Sequence, residues 1–549
     1  MIGYYDSILK KLGEIKGFKP KRRPLIERVL KDIESSEKPF FIVKAPTGYG
    51  KTTISYTLAL YSLYNAEKFD KVIHILPMRS IVEDLSMSAK ELFDFSRAKM
   101  MGVSEEVFHL FPLNFTTIDT FIWDVLKLNT KKFSRIKDRK EFGYDFFTQA
   151  SILNSMLIFD EAHFILEDDK LKSIFLCVLK FLVENDVPIL ILTATLSKGY
   201  EELFKKYAIP ERYDFRIYEL SDENGKSSKS HIFVEDKEFL ERERNKNFEI
   251  SIFDENFVGN YLKYVEEGKR NIIVANSPKK CVKIYDMALE ESRFDNILLI
   301  HGKMTYNHRK RVVEKIRNLK NEKEFLIIST QVIEAGVDIS SDIMITEIAP
   351  PNSLIQRFGR VARYNEKEGK IIILKSDGKP YNKEKIEKTW TYLESNMDIH
   401  PRFSKTYQEW IDKVHGKSLA NAEAKIGRHK RITNILIEKL REFRTRSFEI
   451  YEIITKYISE GHAFLRDFLI PVEVENDVVL ITPKELFKLC KLGKIDVIRI
   501  KKIENNIVGE KLKVKDENEA YKVAIDIACG EPIEVKLLNG YDKERGLIL

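Results

Sequence analysis

Residues 39 to 60 read as a buried strand, a glycine-bearing loop and a helix in immediate succession, an order that points to an open α/β sheet. Pro39-Phe-Phe-Ile-Val-Lys44 is the strand run and Thr53-Ile-Ser-Tyr-Thr-Leu-Ala-Leu60 the helical run. Between them, Ala45-Pro-Thr-Gly-Tyr-Gly-Lys-Thr52 departs from the strict phosphate-loop pattern only at Ala45, where a glycine is usual. Gly48 and Gly50 allow a tight turn in which successive N–H groups beside Thr47 face a polyphosphate, and the helix that follows adds its positive end. Lys51 is then expected to reach the β and γ phosphates and Thr52 to offer a hydroxyl to Mg²⁺, so the expected cofactor is Mg²⁺ with ATP.

A second motif, Asp160-Glu161-Ala162-His163, follows the apolar run Ser155-Met-Leu-Ile-Phe159 and so falls at a strand's carboxyl end, where such sheets bind ligands. Asp160 is the candidate for holding Mg²⁺, and Glu161 the candidate base for the attacking water. An acidic pair after a strand is more often a solvated loop or helix cap; the phosphate loop upstream shifts the balance toward chemistry. Thr193-Ala194-Thr195 comes next. Gln356-Arg-Phe-Gly-Arg-Val-Ala-Arg363 supplies cations, and Arg360 and Arg363, three residues apart, are expected to share a helix face as arginine fingers. The plain alternative is a solvated basic face, against which Gln356 and Gly359 argue by their spacing.

These four segments resemble motifs I, II, III and VI of superfamily 2 helicases. With Thr116-Thr-Ile-Asp-Thr-Phe121, Ser329-Thr-Gln-Val-Ile-Glu-Ala-Gly-Val-Asp-Ile339 and the opening Gln356, the chain resembles more narrowly the helicase subunit of type I CRISPR interference. The resemblance covers about residues 18 to 375. It implies that Thr330 contacts a nucleic-acid backbone and that Gly336 and Asp338 couple the second domain to the nucleotide. It also implies that Pro77, Arg79 and Ser80, with Thr117, track the strand, that Thr193 and Thr195 act in coupling, and that His163 links Gln356 to the site. Small hydroxyls and loop N–H groups suit phosphates without reading bases, although each threonine alone is more often a turn or cap hydroxyl. Relatives usually carry Arg-Pro-Leu-Gln upstream of the loop; here Ile26 replaces the glutamine, leaving Phe18, Arg23 and Glu27 as candidates for the adenine.

At 549 residues the chain is too long for one core, and its 43% hydrophobic fraction is ample for globular folding. No apolar run approaches bilayer length and the first residues lack signal-peptide organisation, so a cytoplasmic protein with no membrane partner is expected. Cysteines at 177, 281, 490 and 529 are too scattered for zinc or iron–sulfur pairs. A net charge of +7 excludes a generally basic nucleic-acid coat; positive charge is local, at Lys19–Arg23, Lys131–Lys140 and Arg428–Arg431 with Arg441, Arg444 and Arg446.

The expected fold class is α/β, with two tandem RecA-like parallel-sheet lobes and a mixed helical and strand C-terminal accessory region. Strand runs near 39–44, 71–76, 155–159, 187–193 and 215–219 place lobe 1 at 1–220. A polar break places a linker at 221–245. Further runs at 271–276, 297–301, 325–329, 343–348 and 370–374 place lobe 2 at 246–380, and 381–549 is the accessory region. The functional expectation is an ATP-dependent single-stranded DNA translocase or helicase, 3′ to 5′ by resemblance, recruited to a CRISPR surveillance complex. An RNA helicase or RNP remodeller, or a nucleotide-gated nucleic-acid clamp, remains open on the motifs alone. Many relatives carry a nuclease domain of clustered histidines and aspartates; here 44 residues precede Ala45 and none of the ten histidines is followed by aspartate, so a separate metal-dependent nuclease subunit is expected as partner.

Overall fold

In a computed structural model the chain is described except for residues 18–19, 101–107, 130–131, 141–142, 210, 222–226, 255–259, 292, 335–336, 424–428, 443, 504–505 and 549. It forms two compact units, Met1–Asn247 with Asp398–Ile450, and Phe248–Met397 with Tyr451–Leu549.

The first unit is built on eight strands: β1 (Pro39–Lys44), β2 (Lys71–Leu76), β3 (Ser96–Lys99), β4 (Leu113–Thr117), β5 (Ser155–Asp160), β6 (Ile189–Thr193), β7 (Asp214–Ser221) and β8 (His231–Glu235). Their order is β3-β4-β2-β5-β6-β1-β7-β8, and the neighbours pair in parallel. The runs in β1, β2, β5 and β6 are buried along their whole length, as an apolar strand covered on both faces must be. Strands β1, β6 and β5 are adjacent, so the segments that leave their carboxyl ends emerge side by side. Those segments are the loop 45–52, Thr193–Thr195 and Asp160-Glu161. This is how motifs far apart in sequence meet in one crevice.

The second unit carries β9 (Asn247–Phe253), β10 (Arg270–Val274), β11 (Ile297–Ile300), β12 (Phe325–Ser329), β13 (Ile343–Glu347) and β14 (Glu368–Leu374), in the order β11-β12-β10-β13-β14-β9. The pairs from β11 through β14 are parallel. A further sheet is mixed, in the order β16-β15-β19-β17-β18, from β15 (Ile470–Val474), β16 (Asp477–Ile481), β17 (Ile495–Ile503), β18 (Asn506–Lys511) and β19 (Ile533–Leu537). Its β15–β16 and β17–β18 pairs are antiparallel and β15–β19 is parallel. Helices Pro483–Lys491 and Glu517–Ala528 bury Leu486, Leu489, Val523 and Ala524 in a core with Val472, Val479 and Val535.

The fold class is the expected one, but the boundaries fall elsewhere. Within 221–245, β8 pairs with β7 and extends the first sheet, and helix Lys237–Arg244 is capped by Asp236, which accepts from Phe239 N at 3.0 Å. Tyr49 of the phosphate loop donates to the same Asp236 at 2.9 Å, so this stretch is part of the lobe rather than a linker. The region 381–549 is likewise not one body. Residues 398–450 belong to the first unit, where Trp410, Leu436 and Leu440 are buried, and 451–549 belong to the second.

Candidate functional site

The loop between β1 and helix Thr52–Tyr64 turns through two left-handed glycines, Gly48 at φ 82° and Gly50 at φ 99°, a conformation that side chains with a Cβ resist. Ala45 N–H donates to Thr193 O at 3.1 Å, continuing the β1–β6 ladder to the loop's mouth. Lys51 is buried; its Nζ donates to Ala45 O at 2.9 Å and lies 3.8 Å from Glu161 Oε1. Thr52 opens the helix and Thr47 is half-buried.

Asp160 ends β5 and Glu161 takes φ 49°, an uncommon left-handed value for a residue with a Cβ, costing about 1 kcal/mol or more. Strain of this kind persists where the surroundings over-determine it. Glu161 N–H donates to Asp160 Oδ1 at 2.9 Å, and Glu161 Oε2 stands 3.5 Å from His163 Nδ1. Burial pushes the Asp160 carboxyl up, but the hydrogen bond and charge of His74, Lys51 and the Glu161 amide more than offset it and hold Asp160 below the usual carboxylate range. Burial holds His163 below its ordinary value, favouring the neutral ring. Thr193 Oγ1 donates to Thr195 O at 2.9 Å, accepts from Thr195 N at 3.1 Å and lies 3.5 Å from His163 Nδ1, so the expected coupling residues do form one knot.

Asp160 and Thr52 offer oxygen donors, the set a hard cation takes, and one carboxylate with substrate phosphates is the usual way Mg²⁺ is held. The residues present therefore fit Mg²⁺ with a nucleotide. Of the adenine candidates, Phe18 lies outside the described residues. Arg23 stacks over the rings of Tyr49 and Phe239, at 5.5 and 5.2 Å, and Glu27 pairs with Lys31 at 2.8 Å. Ile26 is buried.

The expected strand-tracking residues are less uniform. Arg79 is exposed at the start of helix Arg79–Leu92, Pro77 is buried, and the side chain of Ser80 lies outside the described set. Thr117 is buried and caps helix Ile118–Val125, accepting from Thr120 N at 3.3 Å. Thr330 is buried after β12. Several residues of the basic clusters already face carboxylates: Lys21 faces Glu238 at 2.5 Å, Arg22 faces Asp6 at 2.6 Å and Arg441 faces Glu184 at 2.8 Å. Lys19, Lys131 and Arg428 lie outside the described residues.

In the second unit Gln356 is buried on helix Pro351–Phe358 and Gly336 lies outside the described residues. Arg360 and Arg363 do not share a helix face. The helix ends at Phe358, Val361 forms an isolated parallel bridge with Ser341, and Ala362 takes φ 44°, because backbone pairing with Ser341 replaces the next helical turn. The two arginines therefore have separate environments. Arg360 Nε and Nη2 donate to the carbonyls of Ile333 and Glu334 at 3.1 and 2.6 Å. Arg363 Nη1 lies 3.5 Å from Asp338 Oδ1. Burial pushes the Asp338 carboxyl up, but Arg363, Tyr364 and Lys320 outweigh it and hold it well below the ordinary value.

Two residues central to these units were not among the expected ones, although Arg357 lies inside the last motif. Arg357, fully buried, donates to Glu334, Thr346 and Asn276, and Tyr381 OH is 3.1 Å from its Nη2. Arg402, from the returning segment of the first unit, donates to Thr47 Oγ1 at 3.1 Å.

Comparison with known proteins bears on both units. The family model for DEAD/DEAH box helicases matches residues 23–203, which contain the loop, Asp160-Glu161 and Thr193–Thr195. That for the C-terminal part of the CRISPR-associated nuclease/helicase Cas3 matches 267–366, which end just past Arg363. Over these two stretches the chain is similar to DEAD/DEAH box helicases and to the C-terminal part of Cas3. A putative CRISPR-associated nuclease/helicase Cas3 of Methanocaldococcus jannaschii is 25% identical over 70% of this chain and 53% of its own. The Cas3 of Methanothermobacter thermautotrophicus is 25% identical over 64% and 43%. The crystal structure of T. fusca Cas3 with ADP aligns at a TM-score of 0.57 and 16% identity over 81% of this chain and 57% of that one, a likeness of fold. The chain thus spans about half the length of the curated relatives it matches. Among its described residues no helix is long and apolar enough to cross a membrane.

Proposed function

We propose that this Cas3-like chain is an ATP-dependent single-stranded DNA translocase or helicase that acts in type I CRISPR interference together with a separate metal-dependent nuclease. One observation carries the reading: Lys51, Asp160, Glu161 and the Thr193–Thr195 knot lie at the carboxyl ends of three adjacent parallel strands, the place and residue set for phosphoryl transfer. Lys51 leaves the Ala45 carbonyl for the β and γ phosphates and Glu161 takes the proton of the attacking water, while Thr52 and Asp160 would hold Mg²⁺. When bound, Mg²⁺ neutralises charge that develops on the phosphates. The roles of Arg360 and Arg363 as transition-state cations, and of Gln356, Gly336 and Asp338 in coupling, rest on the family resemblance alone.

On nucleic acid, exposed Arg79 is the first candidate for a phosphate contact. Pro77, Thr117 and Thr330 serve through their loops, since their side chains are buried. The 3′-to-5′ polarity, the surveillance-complex partner and the separate nuclease rest on the family resemblance; the names of the matched relatives join nuclease and helicase in one protein.

ATP hydrolysis measured with single-stranded DNA, single-stranded RNA or neither, followed by unwinding of duplexes with a 3′ or a 5′ tail, tests this. DNA-stimulated turnover with unwinding from a 3′ tail is expected. Stimulation by RNA alone, or unwinding confined to 5′-tailed duplexes, overturns the substrate or the polarity respectively. Metal-dependent cutting of circular single-stranded DNA that co-elutes with the ATPase overturns the separate nuclease.

A further inference from the structure

Residues 400–412 place hydrogen bonds on two loops of the nucleotide site at once. Arg402 is 3% exposed; its Nη1 donates to Thr47 Oγ1 at 3.1 Å and its Nε lies 3.6 Å from Glu243 Oε2, itself buried. His400 roots this arginine. Its Nδ1 accepts from Arg402 N at 3.2 Å and its Nε2–H donates to Glu243 O at 3.0 Å. Further along, in helix Ser404–His415, buried Tyr407 donates to Ala194 O at 3.2 Å and Gln408 Nε2 donates to Leu196 O at 3.0 Å. Asp412 Oδ1 accepts from Lys198 N at 2.9 Å. The approach is close enough that a Cβ on Gly199 would lie 2.7 Å from Ser418 O.

These contacts have a direction. Buried Tyr49 holds one point of the phosphate loop on Asp236, and Arg402 adds a charged, buried donor at a second point, Thr47. Ala194 lies between the two threonines of the coupling knot, and the Tyr407 bond to its carbonyl fixes the peptide on which that knot turns. One short stretch therefore fastens the phosphate loop by a side chain and the Thr193–Thr195 turn by its backbone.

We propose that residues 400–412 are a positioning clasp for the nucleotide site, Arg402 setting the phosphate loop through Thr47 while Tyr407 and Gln408 set the Thr193–Thr195 turn, so that the two loops tighten and loosen together. The proposal rests on the ATPase reading of the site, and its test is arranged to fail separately from it.

The 549-residue chain and the variants Tyr407→Phe, Arg402→Gln, Arg402→Lys and Arg402→Gln/Glu243→Gln are compared by amide hydrogen exchange of residues 45–52 and 193–198 without nucleotide, and by ATP dependence of DNA-stimulated hydrolysis. Tyr407→Phe keeps the buried ring and removes one hydroxyl, so the fold is retained. Exchange is expected to rise about tenfold in both loops for Tyr407→Phe and for Arg402→Gln, the scale of one lost buried hydrogen bond. KM for ATP is expected to rise about tenfold in Arg402→Gln, with a much smaller change in kcat, and to recover by at least half in Arg402→Lys. It is expected to stay raised in the double variant, which also removes the Glu243 charge that Arg402 shares with Arg242 and Lys246.

Exchange confined to the loop each residue touches overturns the proposal. So does a parental KM in the double variant, which makes Arg402 only a charge partner for Glu243. A parent protein that hydrolyses no ATP with DNA or RNA fails the ATPase reading instead, while the exchange comparison still decides the clasp.

Discussion

His74 Nε2 lies 3.2 Å from Asp160 Oδ2, and its Nδ1 lies 2.7 Å from Ser55 Oγ. Since an ionised Asp160 can only accept, Nε2 carries a proton and donates to it, while Nδ1 shares a hydrogen bond with the Ser55 hydroxyl. The chain Ser55–His74–Asp160 thereby ties the helix after the phosphate loop to β2 and to the carboxylate at the end of β5. All three groups are buried, which gives the arrangement a structural rather than a nucleophilic role.

His74→Leu leaves the Ser55 hydroxyl and one Asp160 oxygen without partners. Stability is expected to fall by about 2–4 kcal/mol, and the Mg²⁺ concentration for half-maximal hydrolysis to rise. Urea unfolding and a Mg²⁺ titration measure the two effects. An unchanged Mg²⁺ requirement in a folded variant would show that Asp160 needs no orienting partner.

Lys51→Ala removes the phosphate-binding ammonium and is expected to abolish nucleotide binding and turnover together. Glu161→Gln keeps the shape and removes the base, so it should bind ATP near the parental affinity while turnover falls by roughly 10²-fold or more. Fluorescent-nucleotide binding and steady-state hydrolysis separate the two. Parental turnover by Glu161→Gln with nucleic acid present would remove Glu161 from the catalytic role.

The arginines of the second unit divide by environment. Arg357 and Glu334 are both 1% exposed or less and 2.8 Å apart, so Arg357→Ala removes a buried charge that faces a buried carboxylate and should cost about 3–5 kcal/mol in stability. Arg363 is less buried, and Asp338 keeps Lys320 and Tyr364, so Arg363→Ala should cost clearly less stability than Arg357→Ala while lowering hydrolysis roughly 10³-fold. Thermal melts set beside turnover rates decide this. A stability loss in Arg363→Ala as large as in Arg357→Ala would make both arginines structural.

His301 accepts from Lys303 N at 3.1 Å on Nδ1 and donates from Nε2 to Arg545 O at 2.9 Å, which only the neutral ring can do. Burial lowers its pKa from 6.5 to about 4, the Arg545 hydrogen bond opposing in part. A depressed folded value means that the unfolded chain binds the proton more readily. The contribution of His301 is therefore fully present above about pH 6.5 and is lost as pH falls toward 4. His301→Gln should be less stable than the parent at pH 8, yet lose less stability between pH 7 and pH 5, as read by urea unfolding across that range. Equal losses in parent and variant would rule out this titration.

The buried runs of β1, β2, β5 and β6 were legible in the sequence because continuous apolar stretches have few other fates, and with them came the phosphate loop and Asp160-Glu161. β3, Ser96-Arg97-Ala98-Lys99, was not legible, since a half-polar edge strand is held by backbone pairing that leaves no hydrophobic pattern. β8 escaped for a similar reason and was absorbed into a linker. The Arg360–Arg363 spacing misled because it is helical in sequence, while the Ser341 bridge that ends the helix is a contact between distant segments. Arg402 carried no signal: nothing near residue 402 resembles a motif, and its meaning depends on a segment returning from 398 to the loop at 47.

That return has a consequence for how the protein is made. The first unit is discontinuous, so during synthesis its parallel sheet emerges and waits while Phe248–Met397 is still being translated. The clasp and helix Lys430–Arg441, which bonds to helix Asp169–Glu184 through Cys177 and Thr433, arrive only afterwards. Until residue 450 leaves the ribosome, the surface that receives Tyr407, Trp410 and Leu436 stays uncovered, a window in which chaperone capture competes with aggregation. A premature stop or proteolytic nick between 398 and 450 would therefore silence the chain with every motif residue still in place.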